Sequence, residues 1–169
     1  GGLEHINGAL AQADVLGIFG RERVDLATLW APPANSDPGA FAFRMYLNYD
    51  GNGAAFGEQS LPASSADVDD LAVFASRRGS DNALTIMVIN KSGQPLTSSL
   101  TLTGLGDGVA EVYRYAGTNL SQITQEANLG FVAGSLTTTF PADSITLLEV
   151  AGEPIDFEEA IYLPFVNKP

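Results

Sequence analysis

The chain has 169 residues, with 20 Asp and Glu against 8 Lys and Arg and a formal net charge of −12. That balance argues against nucleic-acid binding, which relies on Lys and Arg to neutralise phosphates, and against attraction to anionic membrane surfaces. With no Cys there is no disulfide framework, thiolate metal site or thiol nucleophile, and no apolar run is long enough to span a bilayer.

Ile6, Ala9, Leu10, Ala13, Leu16 and Phe19 recur at three-to-four spacing and predict a helix. Val15 and Ile18 widen its apolar surface, so it is expected to be packed on more than one side. Gly8, Ala11 and Gly17 keep it slim enough for close approach to a sheet, and Gly20 is placed to end it in a left-handed conformation. Residues 24–30 then read as a short strand closing on Trp30, and Pro32-Pro33 forces an extended loop. Ser36 or Asp37 can cap a second helix with Pro38 at its first position. Phe41, Met45 and Tyr49 give that helix an apolar face, and Asp50-Gly51-Asn52-Gly53 stops it.

Helix, strand, loop, helix is the repeating unit of an α/β barrel. A buried strand of this kind needs neighbours on both sides, and nothing earlier in the chain supplies them. Residues 1–57 are therefore expected to be the C-terminal remnant of a barrel, the last helix–strand–helix unit of a (β/α)8 fold. Most of the chemistry would lie upstream.

Composition changes near Phe56-Gly57. From 58 to 150 short β segments alternate with turn residues: 58–61, 71–77, 83–89, 99–103, 109–115, 131–140 and 144–150. Residues 83–89 are nearly all apolar and suit a central strand. This spacing predicts an antiparallel β-sandwich, making the whole mainly β. Residues 151–169 form an acidic and then apolar tail, whose string Ile161-Tyr162-Leu163-Pro164-Phe165-Val166 is expected to lie across the sandwich or the barrel remnant.

The candidate site residues are few. Trp30 would stand at the C-terminal end of the last barrel strand, where barrel active sites form, and its indole can stack on a sugar ring. The alternative is a Trp buried under the Pro32-Pro33 loop. Glu4, His5 and Asn7 line a loop mouth or cap the first helix. Asp50, Asn52 and Glu58 offer oxygen ligands for calcium, but Ala54 occupies a position where a helix-loop-helix calcium site needs a ligand, so a helix stop explains the stretch more simply. No other cofactor is indicated. Tyr113 and Tyr115 share one face of a strand about 6–7 Å apart and form either a sugar platform or core packing. Arg77-Arg78 reads as a solvated hairpin end.

Residues 5–22, from His5-Ile6-Asn7-Gly8 to Gly20-Arg21-Glu22, together with Val24-Asp25-Leu26-Ala27-Thr28 and Trp30, resemble glycoside hydrolase family forty-four. Residues 46–56 (Tyr46-Leu47-Asn48-Tyr49-Asp50-Gly51-Asn52-Gly53-Ala54-Ala55-Phe56), residues 84–91 ending in Val88-Ile89-Asn90-Lys91, Val112-Tyr113-Arg114-Tyr115 and residues 140–147 (Phe140-Pro141-Ala142-Asp143-Ser144-Ile145-Thr146-Leu147) are similar to the same family. The resemblance implies a secreted, extracellular retaining endo-β-1,4-glucanase acting on cellulose, xyloglucan or xylan, with a barrel and a β-sandwich. Retention needs two carboxyl groups about 5 Å apart. In such proteins both glutamates lie upstream of the matched stretch, so no catalytic residue is assigned here and Glu4 is not given the nucleophile role. The implied partners are the missing N-terminal barrel portion and a β-glucan. Two rival readings remain: a stand-alone carbohydrate-binding module, which requires Tyr113, Tyr115 and Phe131 to be exposed, and a structural β-sandwich without a ligand.

Overall fold

The computed structural model describes residues 2–152 and, as backbone strands, 161–163 and 166–167. Two helices lead, α1 (Ile6–Arg21) and α2 (Pro38–Leu47). Eleven strands follow: β1 (Gln59–Leu61), β2 (Ala63–Ser65), β3 (Leu71–Arg77), β4 (Leu84–Asn90), β5 (Leu96–Leu102), β6 (Gly108–Ala116), β7 (Asn119–Phe131), β8 (Ser135–Phe140), β9 (Ser144–Val150), β10 (Ile161–Leu163) and β11 (Val166–Asn167). The protein is mainly β.

One sheet has the order β1-β3-β4-β9-β6-β7, with every neighbour antiparallel. The second runs β11-β5-β10-β2, and β8 pairs with the other edge of β5. Its single parallel contact among the described residues joins β10 to β2. Between the two sheets lies an apolar layer in which Val73, Ile86 and Val88 meet Leu96, Leu100 and Phe140. The outer face of the first sheet is covered as well: Ala9, Leu10 and Ala13 of α1 and Phe41, Ala42 and Met45 of α2 press on Phe74, Met87, Ile89, Tyr115, Ile145 and Leu147. Burial on both faces is why every residue of β4 is buried and why its sequence runs apolar without alternation.

Close approach at the helix layer depends on Gly17. A Cβ there would fall 2.3 Å from a ring carbon of Phe74, so any side chain would force α1 off the sheet. Asn90 fixes the ends of the two sheets together. Its Nδ2 donates to the carbonyls of Gln94, Phe140 and Pro141 at 2.8–3.0 Å, which satisfies a fully buried amide.

Several sequence expectations change. Residues 24–30 form no strand: they pair with nothing among the described residues and are exposed throughout. A lone strand has no hydrogen-bonding partner for its backbone, so it stays irregular and solvated. Gly20 lies inside α1, which continues to Arg21, and the left-handed residue is Arg23 (φ +56°). Residues 131–140 are not one strand but the end of β7, a turn through Ala133 and Gly134 at positive φ, and β8. Sequence spacing misses the thirteen-residue β7, because its few inward apolar side chains, Ile123, Leu129 and Phe131, are set among exposed polar residues of an edge strand. The tail's apolar string does contribute backbone to the second sheet at 161–163 and 166–167, whereas the acidic stretch 153–160 lies outside the described residues.

Candidate functional site: the exposed Trp30 segment

The turn after α1 throws residues 24–33 outward, away from the sheet that the two helices cover. Val24, Leu26, Leu29 and Trp30 are exposed, and the Trp30 indole is fully so, at 103 % of its reference area. The reading of Trp30 as a residue buried beneath the Pro32-Pro33 loop is therefore excluded. Four large apolar side chains within seven residues form an unpartnered stripe, which solvent alone does not favour. Val15, on the outward side of α1, is exposed too, so the broad apolar surface predicted for that helix is satisfied on its sheet-facing side and left open on the other.

Beside Trp30 is an open cleft of about 460 Å³ whose walls include Glu4, Gln12, Val15, Leu29 and Pro33. Glu4 Oε2 accepts the Gly2 amide at 2.7 Å, and backbone N–H donors, its own first and then that of Gly2, hold its carboxyl below the usual glutamate range. His5 stands at the N-cap of α1 without a side-chain capping bond, so its expected capping role is not seen. Asn7 lies exposed in the first turn. Asp50 ties its own loop together. Burial pushes its carboxyl up, but Oδ1 accepts the amides of Asn52 at 2.8 Å and Ala54 at 2.9 Å, and the net direction is down. No group of three or more candidate metal ligands gathers among the described residues.

The sugar-platform reading of the sandwich aromatics fails on burial. Tyr113, Tyr115 and Phe131 are 8 %, 0 % and 4 % exposed. Tyr115 stacks on Phe41, centroids 4.8 Å apart and rings 8° from parallel, and Tyr113 tilts against Tyr49 at 4.8 Å. These rings are the glue between α2 and the sheet.

Arg78 is not a solvated hairpin end: its side chain is largely buried. Its guanidinium donates to Tyr49 Oη (2.6 Å), the Ala55 carbonyl (3.1 Å), Glu149 Oε1 (2.6 Å) and both oxygens of Asp81. Tyr49 Oη in turn donates to Glu149. The network raises the Arg78 pKa, through Asp81 first, and burial followed by Glu149 raises that of Tyr49. It ties the link after α2, which ends the Trp30-bearing unit, to the β3–β4 hairpin and β9. Sequence could not reveal it, since Arg78 and Glu149 meet only after the strands pair.

No family model matches the chain. Beta-mannanase/endoglucanase A of Caldicellulosiruptor saccharolyticus is 38% identical over 118 residues, covering 68% of this chain and 9% of that protein. The bifunctional glucanase-xylanase CelM2, from a metagenome library, has a TM-score of 0.86 at 40% identity, over 90% of this chain and 30% of its own. A Paenibacillus polymyxa xyloglucanase from glycoside hydrolase family 44 gives a TM-score of 0.79 at 28% identity, again over 90% and 30%. The chain thus spans under a third of each of these proteins. Sequence and fold together place the chain in glycoside hydrolase family 44, where it corresponds to a C-terminal portion of the longer members.

Proposed function

We propose that this chain is the C-terminal part of a retaining endo-β-1,4-glucan hydrolase of cellulose, xyloglucan or xylan type, secreted from the cell. Residues 1–57 complete the catalytic α/β barrel, 58–150 form the sandwich that buttresses it, and 151–169 are a tail. The observation that carries this reading is the unpaired stripe of residues 24–30. Among the described residues its backbone joins no strand, Val24 N–H only closing the turn onto the Phe19 carbonyl, and Val24, Leu26 and Leu29 are exposed, while the helices on either side of it are already seated on a sheet. Strands from an upstream barrel portion would supply those partners. Trp30 at the end of the stripe would then face the cleft and stack on a sugar ring.

Catalysis is assigned to glutamates upstream, so the 169-residue chain alone should not release reducing sugar from carboxymethyl cellulose or xyloglucan. A polypeptide that also carries the upstream barrel portion should do so, and Trp30→Ala in it should raise KM on the polymer. Hydrolysis by the isolated chain, or an unchanged KM in the Trp30→Ala enzyme, would refute the assignment. The alternative of a stand-alone binding module loses its aromatic platform, because the three rings it needs are buried.

A further inference from the structure

On the far side of α2 from Trp30, an open polar cleft of about 710 Å³ lies between the C-terminal half of that helix, the turn at 50–52 and β7. Its size falls in the range of small-ligand sites. The walls carry an uneven set of polar groups. Arg44 is held rigidly, its Nη2 donating to the Asn35 carbonyl at 2.8 Å and its guanidinium carbon 4.5 Å from the Phe41 ring centroid. Asn48 Oδ1 accepts the Gly53 amide at 2.6 Å, which fixes the side chain and leaves its half-buried Nδ2 without a partner among the described residues. Gln125 Nε2 reaches Tyr113 Oη and Glu111 Oε2 only at 3.4 Å each, leaving Oε1 free to accept. The Gln122 amide has no partner among the described residues.

This inventory selects a ligand class. One cation, Arg44, faces one anion, Asp50, and the chain as a whole is strongly acidic, so an anionic ligand gains nothing net. A metal ion is not suited either, since amides and a guanidinium dominate. Phe41 is buried under Arg44, and apolar contact comes from Ile123 and from the edges of Tyr49 and Tyr113 that line the cleft. Amide donors and acceptors beside this apolar flank match a ligand whose groups each both donate and accept and whose C–H faces are apolar, namely a sugar with vicinal hydroxyls. We propose that this cleft binds a short, neutral oligosaccharide, at a second site separate from Trp30. The inference stands on the chemistry of the cleft and does not need the catalytic assignment above.

The test uses the ¹⁵N-labelled 169-residue chain titrated with cellotetraose and, in parallel, xylotetraose, followed by amide NMR. Saturable shifts are expected at the side-chain amides of Asn48, Gln122 and Gln125 with at least one of the sugars. Removing the two exposed amides, Gln122→Ala with Gln125→Ala, should weaken binding about tenfold, as expected for two hydrogen bonds, with the rest of the spectrum unchanged. Trp30→Ala should leave these shifts intact. The absence of saturable shifts with both sugars, unchanged affinity in the double variant, or loss of the shifts in Trp30→Ala would each overturn the proposal. None of those results bears on whether the longer polypeptide hydrolyses glucan, which is read separately by reducing-sugar release.

Discussion

Replacing Arg78 with Ala removes a cation that joins the segment after α2 to the sheet. Its three kinds of partner contribute unequally. Asp81 is half-exposed, with 49 % side-chain exposure, and water screens it, so that arm contributes under about 1 kcal/mol. Glu149 is 19 % and Arg78 13 % exposed, and Tyr49 is buried. Losing the guanidinium leaves a poorly solvated carboxylate, a tyrosine hydroxyl short of one partner and the Ala55 carbonyl unpaired. Breaking a buried ion pair costs about 3–5 kcal/mol and a charged hydrogen bond about 1.5–3. Allowing for the residual exposure, we expect a loss of about 2–4 kcal/mol.

With a urea m-value of about 1–3 kcal/mol/M, that loss should lower the unfolding midpoint by roughly 1–2 M without changing the slope. Arg21→Ala is the matched control, because the Arg21–Glu22 pair is 52 % and 59 % exposed and should contribute under about 0.5 kcal/mol. A triple variant, Arg78→Met with Glu149→Leu and Tyr49→Phe, should recover part of the loss, since it leaves neither a charge nor the buried Tyr49 hydroxyl stranded. If Arg78→Ala unfolds at the same urea concentration as Arg21→Ala, the network is only a surface ornament and the reasoning fails.

Three other outcomes follow from the same structure. Met45→Ala empties a fully buried site between α2 and the sheet and should cost about 2–5 kcal/mol by calorimetry or urea titration. Gly57→Ala should destabilise by more than about 2 kcal/mol, because its Cβ would fall 2.2 Å from the Arg77 carbonyl carbon, a backbone atom with little room to move. Stability should also fall in acid through Asp81, whose carboxyl is held below its usual pKa first by Arg78 and also by the Ala83 amide. A depressed folded pKa stabilises the protein above the unfolded value and ceases to do so as pH drops through the folded one. Stability measured from neutral pH down through the carboxylate range should therefore decline less steeply in Asp81→Asn, and identical slopes would contradict the assignment.

Local pattern sufficed for most of the architecture. The stripe of Ala9, Leu10 and Ala13, the Asp37-Pro38 entry to α2, and the apolar run of β4 all announce their structure through side-chain spacing, because burial on a helix face or on both faces of a strand imposes a period that survives in the linear order. The failures share a cause. β7 is mostly polar and exposed yet pairs along its length with β6, and residues 24–30 are apolar but join no strand, so in each case side-chain character and backbone pairing part company.

Which of the aromatic residues face solvent was settled only by packing. Tyr113, Tyr115 and Trp30 look equally suited to a sugar as residue types, yet two are clamped beneath α2 by Tyr49 and Phe41 while the third is fully exposed. The Arg78–Glu149 contact, 71 positions apart in the chain, likewise exists only once β3, β4 and β9 lie side by side. Composition and periodicity determined that two helices and a β-sandwich would form; the tertiary structure decided that the helices cover one of its sheets, which charges meet and which rings remain open, because those depend on distances between segments that no local spacing encodes.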